Sequence, residues 1–229
     1  MKTTPLICFF LFASTALFAQ TQTRTVGSFE SIHVAGHYDV HLTEGSTGTL
    51  TLHGAADDLK QIETYVKHGE LFIKQKKSSW LTDWSSGKIS INLPVETLTQ
   101  VNLSGSGSIQ AKHTIQAEDF NIVLSGSGEI WLPLETNSLK GTLTGSGDIE
   151  LQGKASLASF QLTGSGDIKA SSFESDEAYA KVTGSGDIVL HSNSKLEAKI
   201  TGSGDILCYG DPKIQQIQTT GSGEVDIRN

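Results

Sequence analysis

The segment Thr144–Ile149, with the sequence TGSGDI, recurs in near-identical form seven times in the second half of the chain. The copies lie at Ser104–Ile109, Ser125–Ile130, Thr144–Ile149, Thr163–Ile168, Thr183–Ile188, Thr201–Ile206 and Thr220–Val225. Their first glycines are separated by 21, 19, 19, 20, 18 and 19 residues. Self-similarity at a nearly fixed period indicates a repeat architecture in which each copy stacks on the next.

Apolar and polar residues alternate on both sides of each motif, as in Leu143 before one copy and Ile149 and Leu151 after it. A period of two indicates β-strands with one buried face. A coil of about 19 residues holds three short strands and their turns, and successive coils stack at about 4.8 Å. A meander of hairpins is the competing interpretation, but it does not require the same turn in every repeat. The sequence therefore predicts an all-β fold, a single-stranded parallel β-helix with its apolar columns facing one interior.

The chain divides into four predicted segments. Residues 1–19 form a signal peptide, because Lys2 precedes the apolar run Leu6–Ala13 and small residues follow as far as Ala19. Cleavage is expected after Ala19, with Ala16 as the alternative site. Residues 20–28 are an N-terminal tail, residues 29–100 a β-rich head that caps the β-helix, and residues 101–229 the seven-copy β-helix. We expect export to the periplasm, the cell surface or the medium.

Composition excludes several classes of partner. The formal net charge is −8, and only Lys74, Lys76 and Lys77 form a basic cluster, so no nucleic-acid partner is expected. The apolar run in the leader is shorter than the roughly 20 residues of a membrane span, and no transmembrane segment is predicted. Cys8 leaves with the signal peptide, so Cys208 has no intrachain partner for a disulfide.

With these residues in view, the chain resembles the putative auto-transporter adhesin family with the head GIN domain, which is common in Bacteroidetes. The resemblance is carried by Phe29-x-x-Ile32-x-Val34-x-Gly36-x-Tyr38-Asp39-Val40-x-Leu42, Leu59-x-x-Ile62-x-x-x-Val66, Gly69-x-Leu71-x-Ile73, Ile89-x-Ile91-x-Leu93-Pro94 and Leu98-x-x-Val101-x-Leu103-Ser104-Gly105-Ser106-Gly107. It implies a right-handed β-helix, export to the cell envelope and an adhesin role without a defined ligand. No amphipathic strands of a translocator barrel precede Asn229, so self-transport is not expected.

An acidic residue follows the second glycine in six of the seven motifs. These residues are Glu129, Asp148, Asp167, Asp187, Asp205 and Glu224. Like charges about 4.8 Å apart in water repel by roughly 1 kcal/mol per pair, so something must relieve this column. We expect hydrogen bonds from turn N–H groups or from Ser and Thr hydroxyls of the next coil. Calcium is the alternative, although calcium-binding β-rolls have a shorter period and a different glycine–aspartate spacing.

Trp80 and Trp84 are the tentative ligand-binding residues, because two exposed indoles in a loop of small polar residues could stack on sugar rings. The alternative is a hairpin that folds both indoles over the end of the core. His33, His37 and His41 recur every four residues, a spacing that separates them on strands, so no metal site is expected. No catalytic residue and no cofactor is predicted.

Besides a calcium-binding, β-roll-like structural protein, two functions remain open at this point. The first is an exported, non-enzymatic envelope protein that displays β-helix loops to glycans or envelope proteins. The second is a carbohydrate-active enzyme, since β-helices can carry catalytic carboxylates on their outer face. A catalytic site would interrupt the repeat with a unique cluster of acids, whereas these acids follow the repeat, and the first function is therefore preferred.

Overall fold

The structure, a computed structural model, describes residues 20–76 and 87–229. The head elements are β1 (Gln20–Gly27), β2 (Ser31–Gly36), β3 (Asp39–Glu44), β4 (Gly48–Gly54), α1 (Ala56–Lys60), β5 (Ile62–Lys67), β6 (Glu70–Gln75) and β7 (Ser90–Val95). The remaining strands are β8 (Gln100–Gly105), β9 (Ser108–Ala111), β10 (Ile115–Gly126), β11 (Glu129–Gly145), β12 (Asp148–Gly164), β13 (Asp167–Gly184), β14 (Ile188–Gly202), β15 (Ile206–Tyr209), β16 (Ile214–Gly221) and β17 (Val225–Arg228).

The strands of the repeat form parallel ladders in which equivalent residues of successive motifs face one another. Leu143 pairs with Leu162, and Ile130 pairs with Ile149, between strands β11 and β12. The same register continues from β8 through β10 to β14, and from β9 through β11 to β17. The chain is thus a β-solenoid of about seven turns, and the predicted β-helix is confirmed.

The interior consists of stacked columns of apolar side chains. The column that precedes each motif is fully buried in six copies and comprises Leu103, Leu124, Leu143, Leu162, Val182 and Ile200. The isoleucine that follows the motif is buried in the same six copies. Burying such a side chain contributes roughly 1.5–3 kcal/mol, so these columns are a main source of stability. The prediction that both columns face one interior is confirmed.

The first glycine of each motif permits a backbone conformation and a close approach that other residues cannot adopt. Gly164 has φ +128°, and a Cβ placed there would lie 2.2 Å from the carbonyl oxygen of Gly145 in the preceding coil. That carbonyl accepts hydrogen bonds from the amides of Ser165 and Gly166, at 2.9 and 3.1 Å. The turn therefore stacks backbone on backbone, which explains why glycine recurs there.

The head continues the same stack, but its coils do not follow chain order. Strands β2 and β3 pair in parallel with β8 and β9 on one side and with β6 and β7 on the other. The coil formed by β2 and β3 therefore lies between two coils that come later in the sequence. Strands β1, β4 and β5 then pair antiparallel at the outer end.

The N-terminal end of the core is closed by α1 and by the side chain of Arg24 on β1. Leu59 of α1 is 1 % exposed. The Arg24 guanidinium donates hydrogen bonds to the carbonyl oxygens of Leu59 and Ile62, at 2.7 and 2.9 Å. At the opposite end Ile214 and Ile217 of β16 are 56 % and 45 % exposed. Within the described residues, no helix has the length and hydropathy of a membrane span.

Candidate binding site on the outer face of the sheet

The acidic column is held by backbone hydrogen bonds between coils. The amide of Asp167 donates to Asp148 Oδ1 at 3.2 Å, that of Asp187 to Asp167 Oδ1 at 3.1 Å, and that of Asp205 to Asp187 Oδ1 at 2.7 Å. The amide of Glu224 donates to Asp205 Oδ1 at 2.8 Å. For the amides of Asp187, Asp205 and Glu224, the carboxylate of the preceding coil replaces a backbone acceptor, whereas the amide of Asp167 also donates to the carbonyl oxygen of Gly147 at 3.2 Å. The expected hydrogen bonding is confirmed for these residues.

The carboxylates of the column do not converge. Across residues 20–76 and 87–229, no group of three or more His, Cys, Asp or Glu side chains is placed to hold a metal ion. Lys169 Nζ lies 2.7 Å from Asp148 Oδ2 and neutralises one carboxylate directly. The hydrogen bonds and this ion pair give the column a structural role at the turn.

A different row of side chains projects outward from four adjacent strands, β7, β3, β9 and β11. Its members are Asn92, His41, Gln110 and Trp131, and hydrogen-bonded register places each beside the next. With strands about 4.8 Å apart, the row spans about 14 Å. We call these four residues the Trp131 row.

Beside the Trp131 row, Asp39 is engaged by two neighbours. Ser108 Oγ donates to Asp39 Oδ1 at 2.9 Å, and Lys88 Nζ lies 3.0 Å from Asp39 Oδ2. Partial burial by itself raises the pKa of Asp39, but the hydrogen bonds from Lys88 and Ser108 and the charges of Lys88 and His41 outweigh it. The net pKa of Asp39 is lowered, so this carboxylate stays ionised and paired.

Hollows adjoin three members of the Trp131 row, Asn92, His41 and Gln110. One hollow of about 600 Å³ is lined by Lys88, Ser108 and Glu129, among others, and a second of about 450 Å³ by Asn92 and Lys112. His41 and Gln110 line both hollows. A third hollow, of about 540 Å³, shares Glu44 and His113 with the second. The three hollows lie side by side on one flank of the molecule because they share these residues, and we call them together the flank groove. Their lining is polar in part and apolar in part, and Trp131 lines none of the three.

Trp131 is the residue that the sequence analysis missed. Its side chain is partly exposed, and among the described residues it forms no hydrogen bond and no ring contact. The equivalent positions of the other coils hold Gln110, Glu150, Lys169, Val189, Leu207 and Asp226. An aromatic residue in a column that is otherwise free of them was the available signal, because the repeat itself does not require a ring there.

A second group of stacked rings lies on strands β5, β6 and β2, and we call it the aromatic ladder. Tyr65 and Phe72 stack with centroids 5.1 Å apart, and His33 stacks on Phe72 at 5.4 Å. Lys74 Nζ lies 5.0 Å from the Tyr65 centroid. These groups occupy one another's ring faces, so the ladder stabilises the head by cross-strand packing.

The prediction that all three histidines lie on strands is wrong for His37, which lies in the turn between Gly36, the last residue of β2, and Asp39, the first residue of β3. His33 packs on the aromatic ladder, His37 lies with its ring 5.5 Å from that of Tyr38, and His41 lies in the groove beside Gln110. Trp80 and Trp84 belong to the segment 77–86, which joins β6 to β7 and lies outside the described residues. Their tentative role in ligand binding stays a prediction.

Comparison with known proteins places the chain in a structural context. The sequence model of a family described as "Putative auto-transporter adhesin, head GIN domain" matches residues 28–212. No curated protein matches the sequence.

Three crystal structures illustrate the fold similarity. A putative adhesin from Bacteroides fragilis is 24% identical, and the match covers 93% of this chain and 98% of the adhesin, with a TM-score of 0.83. A putative lipid binding protein from Parabacteroides distasonis is 25% identical over 91% of this chain and 96% of its own, with a TM-score of 0.74. A putative adhesin from Parabacteroides merdae is 20% identical, and the match covers 91% of this chain and 95% of the adhesin, with a TM-score of 0.70.

Proposed function

The chain belongs to the family described as "Putative auto-transporter adhesin, head GIN domain", and from that premise we propose that it is an exported, non-enzymatic envelope protein that binds a glycan or protein partner. Binding takes place on the flank groove along the Trp131 row. The observation that carries this proposal is that neighbouring hollows on one flank share lining residues from both the head and the repeat, among them His41 and Gln110. A stacked sheet holds such a surface rigidly, so little side-chain and backbone ordering opposes binding.

The acidic residues favour binding over catalysis. A retaining or inverting glycosidase needs two carboxylates on opposite sides of one bond, with one of them free to accept and release a proton. In the acidic column, Asp148, Asp167, Asp187 and Asp205 each accept a backbone amide of the next coil. Near the groove, Asp39 is engaged by Lys88 and Ser108. These carboxylates support the fold rather than a reaction.

One structural relative is described as a lipid binding protein. In this chain the β-helix interior is occupied by packed side chains, among them Leu143 and Phe160, which are 0 % and 2 % exposed. A ligand of any class would therefore bind on the outer surface, where the hollows offer both polar and apolar groups.

The binding surface is tested by one substitution in the groove and a matched one elsewhere. Gln110→Arg places a long charged side chain at a residue that lines both of the first two hollows. Gln161→Arg makes the same change on the outward face of β12, at a residue that lines neither hollow. Both variants and the parent chain from Gln20 onward are screened against a glycan array and against purified envelope proteins. Gln110→Arg should reduce binding of a partner at least about tenfold, and Gln161→Arg should leave it unchanged.

Equal binding by the parent chain and Gln110→Arg would remove the groove as the binding surface. Export is tested separately, because the leader and the groove are independent features. Deleting residues 2–19 should retain the protein in the cytoplasm of the producing bacterium, whereas the full chain should appear in the envelope or medium. Cell fractionation measures the outcome, and cytoplasmic retention of the full chain would contradict export.

A further inference from the structure

Trp131 occupies an outward position on β11, where its side chain is partly exposed and its ring contacts no other ring among the described residues. Exposed large aromatic side chains on a sheet normally pack against a cross-strand neighbour or find a partner for the polar N–H. In this row the cross-strand neighbours are Gln110 on β9 and Glu150 on β12. Neither supplies an apolar surface, so part of the indole faces the solvent.

The remaining members of the row supply hydrogen-bonding groups beside that ring. Asn92 Nδ2 lies 3.3 Å from His53 Nε2, and Thr21 Oγ1 lies 3.0 Å from His53 Nδ1, so a polar chain holds the Asn92 amide in place. His41 and Gln110 lie between Asn92 and Trp131 in the register of the strands. An amide, an imidazole and a second amide thus follow the aromatic ring at the regular spacing of the strands.

This combination of one apolar ring with amide and imidazole donors and acceptors matches the chemistry of a sugar. A pyranose has an apolar face of C–H groups, which packs on an aromatic ring, and a rim of hydroxyls that pair with amides and imidazoles. We propose that the Trp131 row binds a neutral oligosaccharide, with one sugar ring against Trp131 and the next sugars hydrogen-bonded to Gln110 and His41. This inference rests on the proposed function and names its ligand class.

Charge around the indole decides between neutral and acidic saccharides. Glu129 shares the outward face of β11 with Trp131, and Glu150 is its cross-strand neighbour. Both are exposed, and neither forms a salt bridge with another described residue. The Glu129 carboxylate beside the ring repels uronic and sialic acids, and the formal net charge of −8 acts in the same direction. The charge of Glu150 is partly offset by its cross-strand neighbour Lys169.

The probes are neutral gluco-, manno- and xylo-oligosaccharides and, as the acidic counterpart, oligogalacturonate. Binding to the chain from Gln20 onward is measured by titration calorimetry. Trp131→Ala should weaken binding of the neutral oligosaccharide at least about tenfold, and Trp131→Phe should retain most of it. Leu207→Ala, an apolar truncation at the equivalent position of a later coil, is the matched control and should change nothing. Melting temperatures verify that each variant is folded.

The results separate this inference from the proposed function. Equal binding of neutral sugars by the parent chain and Trp131→Ala, or preferential binding of oligogalacturonate, would overturn it. Binding of an envelope protein that is blocked by Gln110→Arg, without saccharide binding, overturns the sugar ligand and leaves the proposed function intact. Absence of both kinds of partner overturns both. Double replacement of Glu129→Gln and Glu150→Gln should raise the affinity for oligogalacturonate if their charges set the preference.

Discussion

Asp187 Oδ1 accepts a hydrogen bond of 2.7 Å from the backbone amide of Asp205, its equivalent in the next coil. The same geometry relates Asp167 to Asp187 and Asp205 to Glu224. The side chain of one coil therefore completes the backbone pairing of the next at the turn where the ladder is interrupted. This requirement explains a column of like charges that would otherwise be unfavourable.

Replacing Asp187 separates the hydrogen bond from the charge. Asp187→Ala should lower the free energy of unfolding by about 1 kcal/mol, because the amide of Asp205 loses its protein acceptor. Asp187→Asn keeps an acceptor and removes repulsion from the neighbouring carboxylates, so its stability should stay near that of the parent. Urea denaturation measures both. An asparagine variant as unstable as the alanine variant would show that the charge itself is required.

The Gly-Ser-Gly turn should be intolerant of a side chain at its first glycine. Gly164→Ala combines a φ of +128° with a Cβ 2.2 Å from the Gly145 oxygen, and should cost at least about 3 kcal/mol. Gly69 is the matched control, because its φ is +76° but no atom lies within 4 Å of an added Cβ. Gly69→Ala should cost only about 1 kcal/mol. Equal losses in urea denaturation would mean that backbone strain, and not coil stacking, explains the glycines.

The ladder register of the repeat could be predicted from the sequence, whereas the order of the coils in the head could not. A strict motif places equal residues at equal positions, so Leu143 beside Leu162 follows from the period. In the head, the alternation of Ile32 and Val34 only predicts a strand with one buried face. It contains nothing that selects β6 and β8 as the two neighbours of β2.

The same distinction applies to the candidate site. Trp131 stood out in its column, but its partners His41 and Asn92 come from distant parts of the sequence. They meet Gln110 because the coil of β2 and β3 stacks on β9, which is a tertiary relationship. Short-range patterns therefore locate the ring but not the polar groups that give it a possible ligand.

The two tryptophans that the sequence analysis selected are tested by a double substitution. Trp80→Ala with Trp84→Ala should weaken glycan binding if these indoles extend the site of Trp131. The melting temperature of the double variant is measured as well. If the indoles cover the core, their removal should reduce the stability by several kcal/mol. A variant with lower stability and unchanged binding would assign both residues to packing.

Asp39 should contribute to stability above pH 4 and lose that contribution in acid. Its pKa is lowered in the folded protein, so the unfolded chain takes up a proton first as the pH falls below about 3.9. Between pH 6 and pH 3 the parent should therefore lose more unfolding free energy than Asp39→Asn. Lys88→Met removes the principal cationic partner and should also flatten this part of the profile. Identical profiles for the three proteins would exclude the Asp39 interaction as a source of acid sensitivity.

Cys208 should be an inert thiol in the native protein. It is completely buried, and burial disfavours the thiolate and raises its pKa to about 11, partly offset by a backbone hydrogen bond involving Ser192. A thiol reagent should not modify the folded chain from Gln20 onward at pH 8, but should modify one thiol per chain in denaturant.

The unfolded thiol loses its proton near pH 8.5–9, before the folded one, so stability should fall as the pH rises from about 9 to 11. The Cys208→Ala variant has no ionisable group at this position and should therefore lose less stability between about pH 9 and 11. At neutral pH the variant is less stable than the parent because the substitution leaves a small cavity. Rapid modification under native conditions would mean that the coil of β15 opens readily, and would argue against a tightly packed C-terminal core.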